Sequence, residues 1–165
     1  MTAEAGVDGR ARIVVGVDGS PCAGVALEFA LAEAARRDAQ VHVVSAVPVR
    51  EYWPVSLGMA SYSAAMPSLE EILREVEQET EEFVDAVMAE QGETAKGIFV
   101  RVETLAGTPA GVLVEQAQGV DLLVVGHRGR GGFASALLGS VGMHCALYAP
   151  CPVTIVRPAP KPADE

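Results

Sequence analysis

The stretch Asp121–Val141 reads DLLVVGHRGRGGFASALLGSV, and the rest of the chain can be placed around it. Leu122 to Val125 is a short unbroken apolar run, the pattern of a strand buried on both faces. The run ends on Gly126, and Gly129, Gly131, Gly132 and Gly139 follow. Ser140 then opens a segment, Val141 to Tyr148, that is free to be helical until Pro150. A strand, a glycine-rich loop and a hydroxyl residue at a helix start make a place to hold phosphate. Glycines let the backbone come close, and the helix N-terminus offers N–H groups with no partner inside the helix.

Working outward, Arg12 to Asp18 (RIVVGVD) reads as a first strand and Val41 to Val47 (VHVVSAV) as a second. Between them Gly19 turns the chain, Ser20 caps and Pro21 starts a helix that runs from about Cys22 to Arg37. Val49 to Pro67, with Tyr52, Trp53 and Tyr62, has no clear period and reads as a long loop or lid. Ser68 and Glu71 form a capping box. The apolar positions Leu69, Ile72, Leu73, Val76, Phe83, Val84 and Val87 then follow at helical spacing, with an acidic opposite face. Ile98 to Leu105 is a third strand near a sheet edge, and Thr108–Pro109 starts a helix to about Gln118. Pro152 to Val156 (PVTIV) is a fifth strand.

The alternation β-α-β-α-β-α-β-α-β predicts one open, parallel, five-stranded, doubly wound α/β sheet of order 3-2-1-4-5 with helices on both faces. The expected domain spans 11–158, between tails at 1–10 and 159–165. In that order the chain leaves the first strand on one side and returns beside it with the fourth. Ligands of such sheets bind beyond the carboxyl ends of those two strands. Those ends are Asp18 and Gly126, so topology and glycine content point to one crevice.

At 165 residues and a net charge of -10 the chain has the size of one domain and the wrong sign for nucleic acid or an anionic membrane. No apolar run approaches the roughly 18 residues of a membrane span, and the start MTAEAGVDGR does not resemble a secretory signal. Cys22, Cys145 and Cys151 are an odd number without a CxxC pair, which fits a reducing cytoplasm. His42, His127 and His144 make no credible metal set, and there is no G-x-S-x-G elbow.

Three phosphate loops can be compared with the opening stretch. A Walker A loop fails for want of its lysine. A dinucleotide fingerprint, Gly129-x-Gly131-x-x-Ala134, sits in the last quarter of the chain without the βαβ unit or acidic ribose partner beyond it. The spacing that stands out is Gly126-x2-Gly129-x9-Gly139-Ser140. With the strand IVVGVDGS, the strand VDLLVVG and the closing APCPVTIVRP, it resembles the universal stress protein family, specifically its ATP-binding branch, over about residues 11 to 158.

That resemblance implies a cytoplasmic, dimeric nucleotide-binding protein of the stress response, with ATP or another adenine nucleotide and Mg²⁺ as ligand. Carried over by position, Gly16 and Val17 line the nucleotide, and Asp18 meets the ribose and phosphate region or its metal. Ala46 meets adenine through its backbone and Gly126 approaches the ribose. Gly129, Gly139, Ser140 and Val141 hold the phosphates. Arg128 and Arg130 are the nearby cations, and the residues alone leave Arg130 open as a solvated loop residue. They also leave Asp18 open as a cap of the first helix, and Ser140 as a cap whose geometry serves phosphate equally. A regulatory ATP-binding module is the expectation. A slow ATPase or phosphotransferase is opposed by the absence of an evident water-orienting base. A nucleotide-free dimeric interaction module is the third reading. The apolar edge of the last strand, Val153, Thr154, Ile155 and Val156, is the expected homodimer contact.

Overall fold

Leu122–Gly126 forms the fourth strand of a sheet in which every neighbour runs parallel. The computed structural model describes residues 9–48, 67–129 and 138–159. Within them the chain runs β1 (Arg12–Gly16), α1 (Pro21–Arg37), β2 (Gln40–Val47), α2 (Leu69–Gln91), a 3₁₀ turn (Gly92–Thr94), β3 (Val100–Ala106), α3 (Pro109–Gln116), β4 (Leu122–Gly126), α4 (Ser140–Tyr148) and β5 (Val153–Val156). The strand order is β3-β2-β1-β4-β5, as the alternation requires.

Strand alternation divides the core into two layers. Ile13, Val15, Val41, Val43, Leu122 and Val124 face α1 and α2, where Leu27, Leu31, Val84 and Val87 meet them. Val14, Val44, Leu123 and Val125 face α3 and α4, against Val112, Leu113 and Cys145. Ile13, Leu27, Leu31 and Leu123 are fully buried, each stabilising the fold by about 1.5–3 kcal/mol relative to exposure. These layers hold the carboxyl ends of β1 and β4 at a set separation, which is what a site at the switch point needs.

Local chemistry explains the helix starts. Ser20 is the α1 N-cap and its Oγ accepts Ala23 N–H at 3.2 Å, with Pro21 at the first helical position. Ser68 and Glu71 form the reciprocal capping box of α2. Gly119 ends the turn after α3 at φ 65°, a conformation that glycine adopts without strain.

The differences from expectation are local. β1 stops at Gly16 rather than Asp18, β3 starts at Val100 rather than Ile98, and α3 stops at Gln116. Leu69, expected on the apolar face of α2, is 41% exposed in its first turn. Glu77, expected on the solvated acidic face, is half-buried and accepts Thr104 N–H at 3.1 Å. β3 is an edge strand, and a carboxylate is a good partner for an amide that points away from the sheet. The expected lid, Val49 to Pro67, lies outside the described residues except for Pro67, as do tail residues 1–8 and 160–165.

Candidate functional site

The ends of β1 and β4 meet through three close approaches. A Cβ on Gly129 would stand 2.5 Å from Asp18 Oδ2, so the glycine's backbone lies directly against the aspartate carboxylate. A Cβ on Gly126 would stand 2.8 Å from Cys22 O, so the end of β4 touches the first turn of α1. A Cβ on Gly16 would stand 2.7 Å from Leu113 Cδ1, which lets α3 pack onto the end of β1. The first of these belongs to the crevice; the other two bring the helices in close around it.

Asp18 is half-buried, and its Oδ1 accepts Ser20 N–H at 3.0 Å. It therefore does not cap α1, whose N-cap is Ser20, but holds that cap's own amide. The second carboxylate oxygen is the one beside Gly129. Val17 is 7% exposed in the core under α1, and its N–H donates to Val44 O at 3.0 Å. Ala46 lies in β2 opposite Leu105 and is half-buried on the α3 side.

On the other side of the loop, Gly139 is the N-cap of α4 and its N–H donates to His127 O at 2.8 Å. This corrects the cap expected there. The Gly139 amide closes the loop onto β4 and is not free for phosphate. Ser140 is the first helical residue and not the cap, and no side-chain capping bond is made at this helix. The first amide bonded into the helix is Met143 N–H, which donates to Gly139 O at 3.0 Å. The amides of Ser140, Val141 and Gly142 precede it, and as opening amides they have no acceptor within the helix. Ser140 is exposed and Val141 half-buried.

Arg128 is half-buried next to His127, while Arg130 lies outside the described residues. His127 is held below the ordinary imidazole range by burial first, then by the Arg128 and Arg157 guanidinium groups. Arg157 was not singled out from the sequence. The signal that finds it is strand register: Gly126 pairs with Val156, so the residues after the two strands stand side by side. Burial raises the Cys145 thiol to about 11, and the Cys151 thiol is also raised chiefly by burial, so neither has thiolate character near neutrality.

The crevice thus combines a carboxylate, a backbone that approaches closely at a glycine, and the opening turn of a helix. That combination suits a ligand with hydroxyl groups and phosphate. Among the described residues no group of three or more His, Cys, Asp or Glu is placed to hold a metal ion. Among the described residues, too, no helix is long and apolar enough to cross a membrane.

Comparison with known proteins finds relatives in sequence and solved structures of the same fold. A universal stress protein of Mycobacterium tuberculosis is 31% identical over 157 residues, which cover 92% of this chain and 49% of the relative. The chain therefore spans about half the length of that relative. Among solved structures, the universal stress protein UspA from Lactobacillus plantarum shares the fold with a TM-score of 0.66 at 23% identity, covering 89% of this chain and 97% of that one. A universal stress protein solved in complex with cAMP matches with a TM-score of 0.59 at 27% identity, over 90% and 97% of the two chains. The model of the universal stress protein family matches residues 9–157, and the chain belongs to that family.

Proposed function

We propose that this chain binds an adenine nucleotide, ATP with Mg²⁺, in the crevice between β1 and β4 and acts as a nucleotide-dependent regulatory module of the cytoplasmic stress response. The observation that carries the reading is the contact of Gly129 with Asp18 across the switch point, with the opening turn of α4 anchored onto His127 beside it. The family member bound to cAMP supports an adenine nucleotide as the class of ligand.

In this reading Ala46 at the end of β2 presents backbone to the adenine, and the Gly126 backbone approaches the ribose. Asp18 accepts from a ribose hydroxyl or binds the Mg²⁺ that the phosphates carry, since a bare carboxylate would repel them. The Ser140 and Val141 amides donate to phosphate oxygens, helped by the helix dipole, worth about 0.3–1 kcal/mol for an exposed charge. The net charge of -10 opposes an anionic ligand at long range. Screening over about 8 Å at physiological salt mutes that part and leaves the local donors decisive.

The test is mass spectrometry of small molecules released from the purified protein, followed by calorimetry with ATP. Co-purifying adenine nucleotide or micromolar-range binding is expected; wild-type protein that binds none sinks the reading.

A homodimer through Val153 to Val156 belongs to the same proposal. All four residues of this edge strand are half-buried, and Met143, Leu147 and Tyr148 of the neighbouring α4 are exposed, at 52%, 69% and 62%. A second copy pairing there would satisfy an apolar edge that water disfavours. Light scattering is expected to show twice the chain mass at micromolar concentration, and a monomer would contradict it.

A further inference from the structure

β3 ends the sheet, and among the described residues no strand pairs with its outer side. The residues that face β2 alternate: Val41 N–H donates to Phe99 O and Gly107 N–H to Val47 O, each at 2.9 Å. The main-chain groups of Val100, Val102 and Thr104 therefore point away from the sheet. One of these outward amides is closed, because Thr104 N–H donates at 3.1 Å to the Glu77 carboxylate that reaches over from α2. An open edge is a template for a further strand, and a charged side chain laid across it is a block.

The stretch Phe99–Leu105 reads FVRVETL and is complementary to itself in reverse. Turned antiparallel about Val102, it sets Arg101 against Glu103 of a second copy and Phe99 against Leu105 of that copy. The same register sets Val100 against Thr104 of the second copy, so the outward-facing residues of both strands meet as hydrogen-bonded pairs. Opposite charges flanked by apolar side chains then line one face, and β-branched side chains the other, the pairings that stabilise antiparallel sheet. Phe99 is 58% exposed and Arg101 is exposed beside it. Within one chain the Glu103 carboxylate already holds His42 at 2.9 Å and Arg101 at 3.4 Å. The Arg101 of a second copy thus joins an existing ion pair.

We propose that the outer edge of β3 is a docking surface for the β3 of a second copy, antiparallel about Val102, and that Glu77 gates it. While Glu77 holds the Thr104 amide, that amide cannot bond Val100 of the second copy, and docking is weak. With the carboxylate drawn off, the ladder from Val100 to Thr104 is complete. The two-fold axis stands perpendicular to the sheet, so the acidic α2 helices of both copies lie on one face. Their like charges oppose docking, which therefore needs the whole ladder. β3 and β5 are opposite edges of the sheet, so this surface is independent of the β5 contact and of the nucleotide crevice.

The test compares sedimentation of the wild type, Glu77→Ala, and Glu77→Ala carrying either Arg101→Glu or Glu103→Arg, with circular dichroism to confirm that each is folded. Glu77→Ala is expected to reach a state twice the mass of the wild-type species, at a concentration about ten-fold lower than the wild type needs. Glu77→Gln, a weaker acceptor of the same length, is expected to fall between the two. Either charge reversal sets like charges opposite each other and should abolish the added step. Mixing the two reversed proteins should restore it, because an acidic strand then meets a basic one. Hydrogen exchange reads the edge directly: Thr104 N–H is expected to exchange slowly in the wild type and fast in dilute Glu77→Ala. On concentration it should slow again, together with Val102 N–H. Glu77→Ala that sediments like the wild type at every concentration overturns the docking surface. So does association that survives both reversals or does not return in the mixture. A Thr104 amide that stays slow in dilute Glu77→Ala overturns the gate. A monomeric wild type would refute the β5 contact alone, and Glu77→Ala is then expected to form a dimer through β3.

Discussion

At the scale of single residues, Gly126 and Gly129 differ in what a methyl group would meet there. A Cβ at Gly129 runs into a side-chain oxygen of Asp18, which can rotate away and leave the crevice misaligned. Gly129→Ala is therefore expected to fold and to lose nucleotide affinity by on the order of ten-fold, as is Asp18→Ala, for interactions of roughly 1–3 kcal/mol. Unchanged calorimetric titrations in both variants would remove this crevice as the site. A Cβ at Gly126 instead meets the Cys22 carbonyl and carbonyl carbon, backbone atoms of the first turn of α1. Backbone cannot rotate aside, so Gly126→Ala should destabilise the whole domain by about 1–3 kcal/mol. Thermal unfolding of that variant at the wild-type temperature would show that α1 shifts without cost.

At the scale of elements, α2 is held in two ways that differ in kind. Its start depends on the Ser68–Glu71 capping box, where the Ser68 Oγ accepts Glu71 N–H at 3.1 Å. Ser68→Ala should cost about 1 kcal/mol in denaturant unfolding; no change in midpoint would mean that tertiary packing alone sets the helix start. Glu77, two turns further on, reaches over the edge of β3 to the Thr104 amide. Glu77→Ala leaves that amide without its carboxylate on the open edge of the sheet. Slower solubility loss than wild type on concentration would contradict the expected rise in self-association. The same side chain shows why a charge pattern along a helix is not yet a solvated face. Its neighbours Glu75, Glu79, Glu81 and Glu82 are exposed, and the sequence alone does not separate one from the others.

At the scale of the whole molecule, acid acts on groups that share one sign. His42 lies below the ordinary imidazole range because burial outweighs the Glu103 carboxylate 2.9 Å away, with Arg101 and Arg12 adding to the lowering. His127 is lowered too, and Glu33 is held below the ordinary carboxylate range by the Arg36 hydrogen bond first and then, against the effect of burial, by Arg37. Each binds its proton less readily folded than unfolded. Each therefore contributes stability that is present above its unfolded pKa and is lost as pH falls through the lower folded value. The two imidazoles place the first loss just below neutrality, and Glu33 adds its share in the carboxylate range. Unfolding temperature is expected to fall between pH 7 and pH 5, less steeply in His42→Gln; a flat profile in the wild type would refute the assignment.

The order of elements and the class of sheet were legible in the chain itself. Apolar runs of strand length alternate with helical periods, and parallel crossovers admit few arrangements of five strands. The location expected for the crevice followed from that order, because Asp18 lies just beyond β1 and Gly126 ends β4, the two strands that flank the switch point. The packing around it was legible only in part. A glycine shows that space is short without showing what occupies it. Thus the partners Leu113 for Gly16, Cys22 for Gly126 and Asp18 for Gly129 come from the folded chain alone. The one-residue shift that makes Gly139 the cap of α4 has the same origin, since the acceptor of its amide, the His127 carbonyl, comes from another element. Local periodicity and turn chemistry determine which segments are strands and helices. Which backbone amides stay open is decided by contacts between segments far apart in sequence, and those exist only once the two core layers have closed on the sheet.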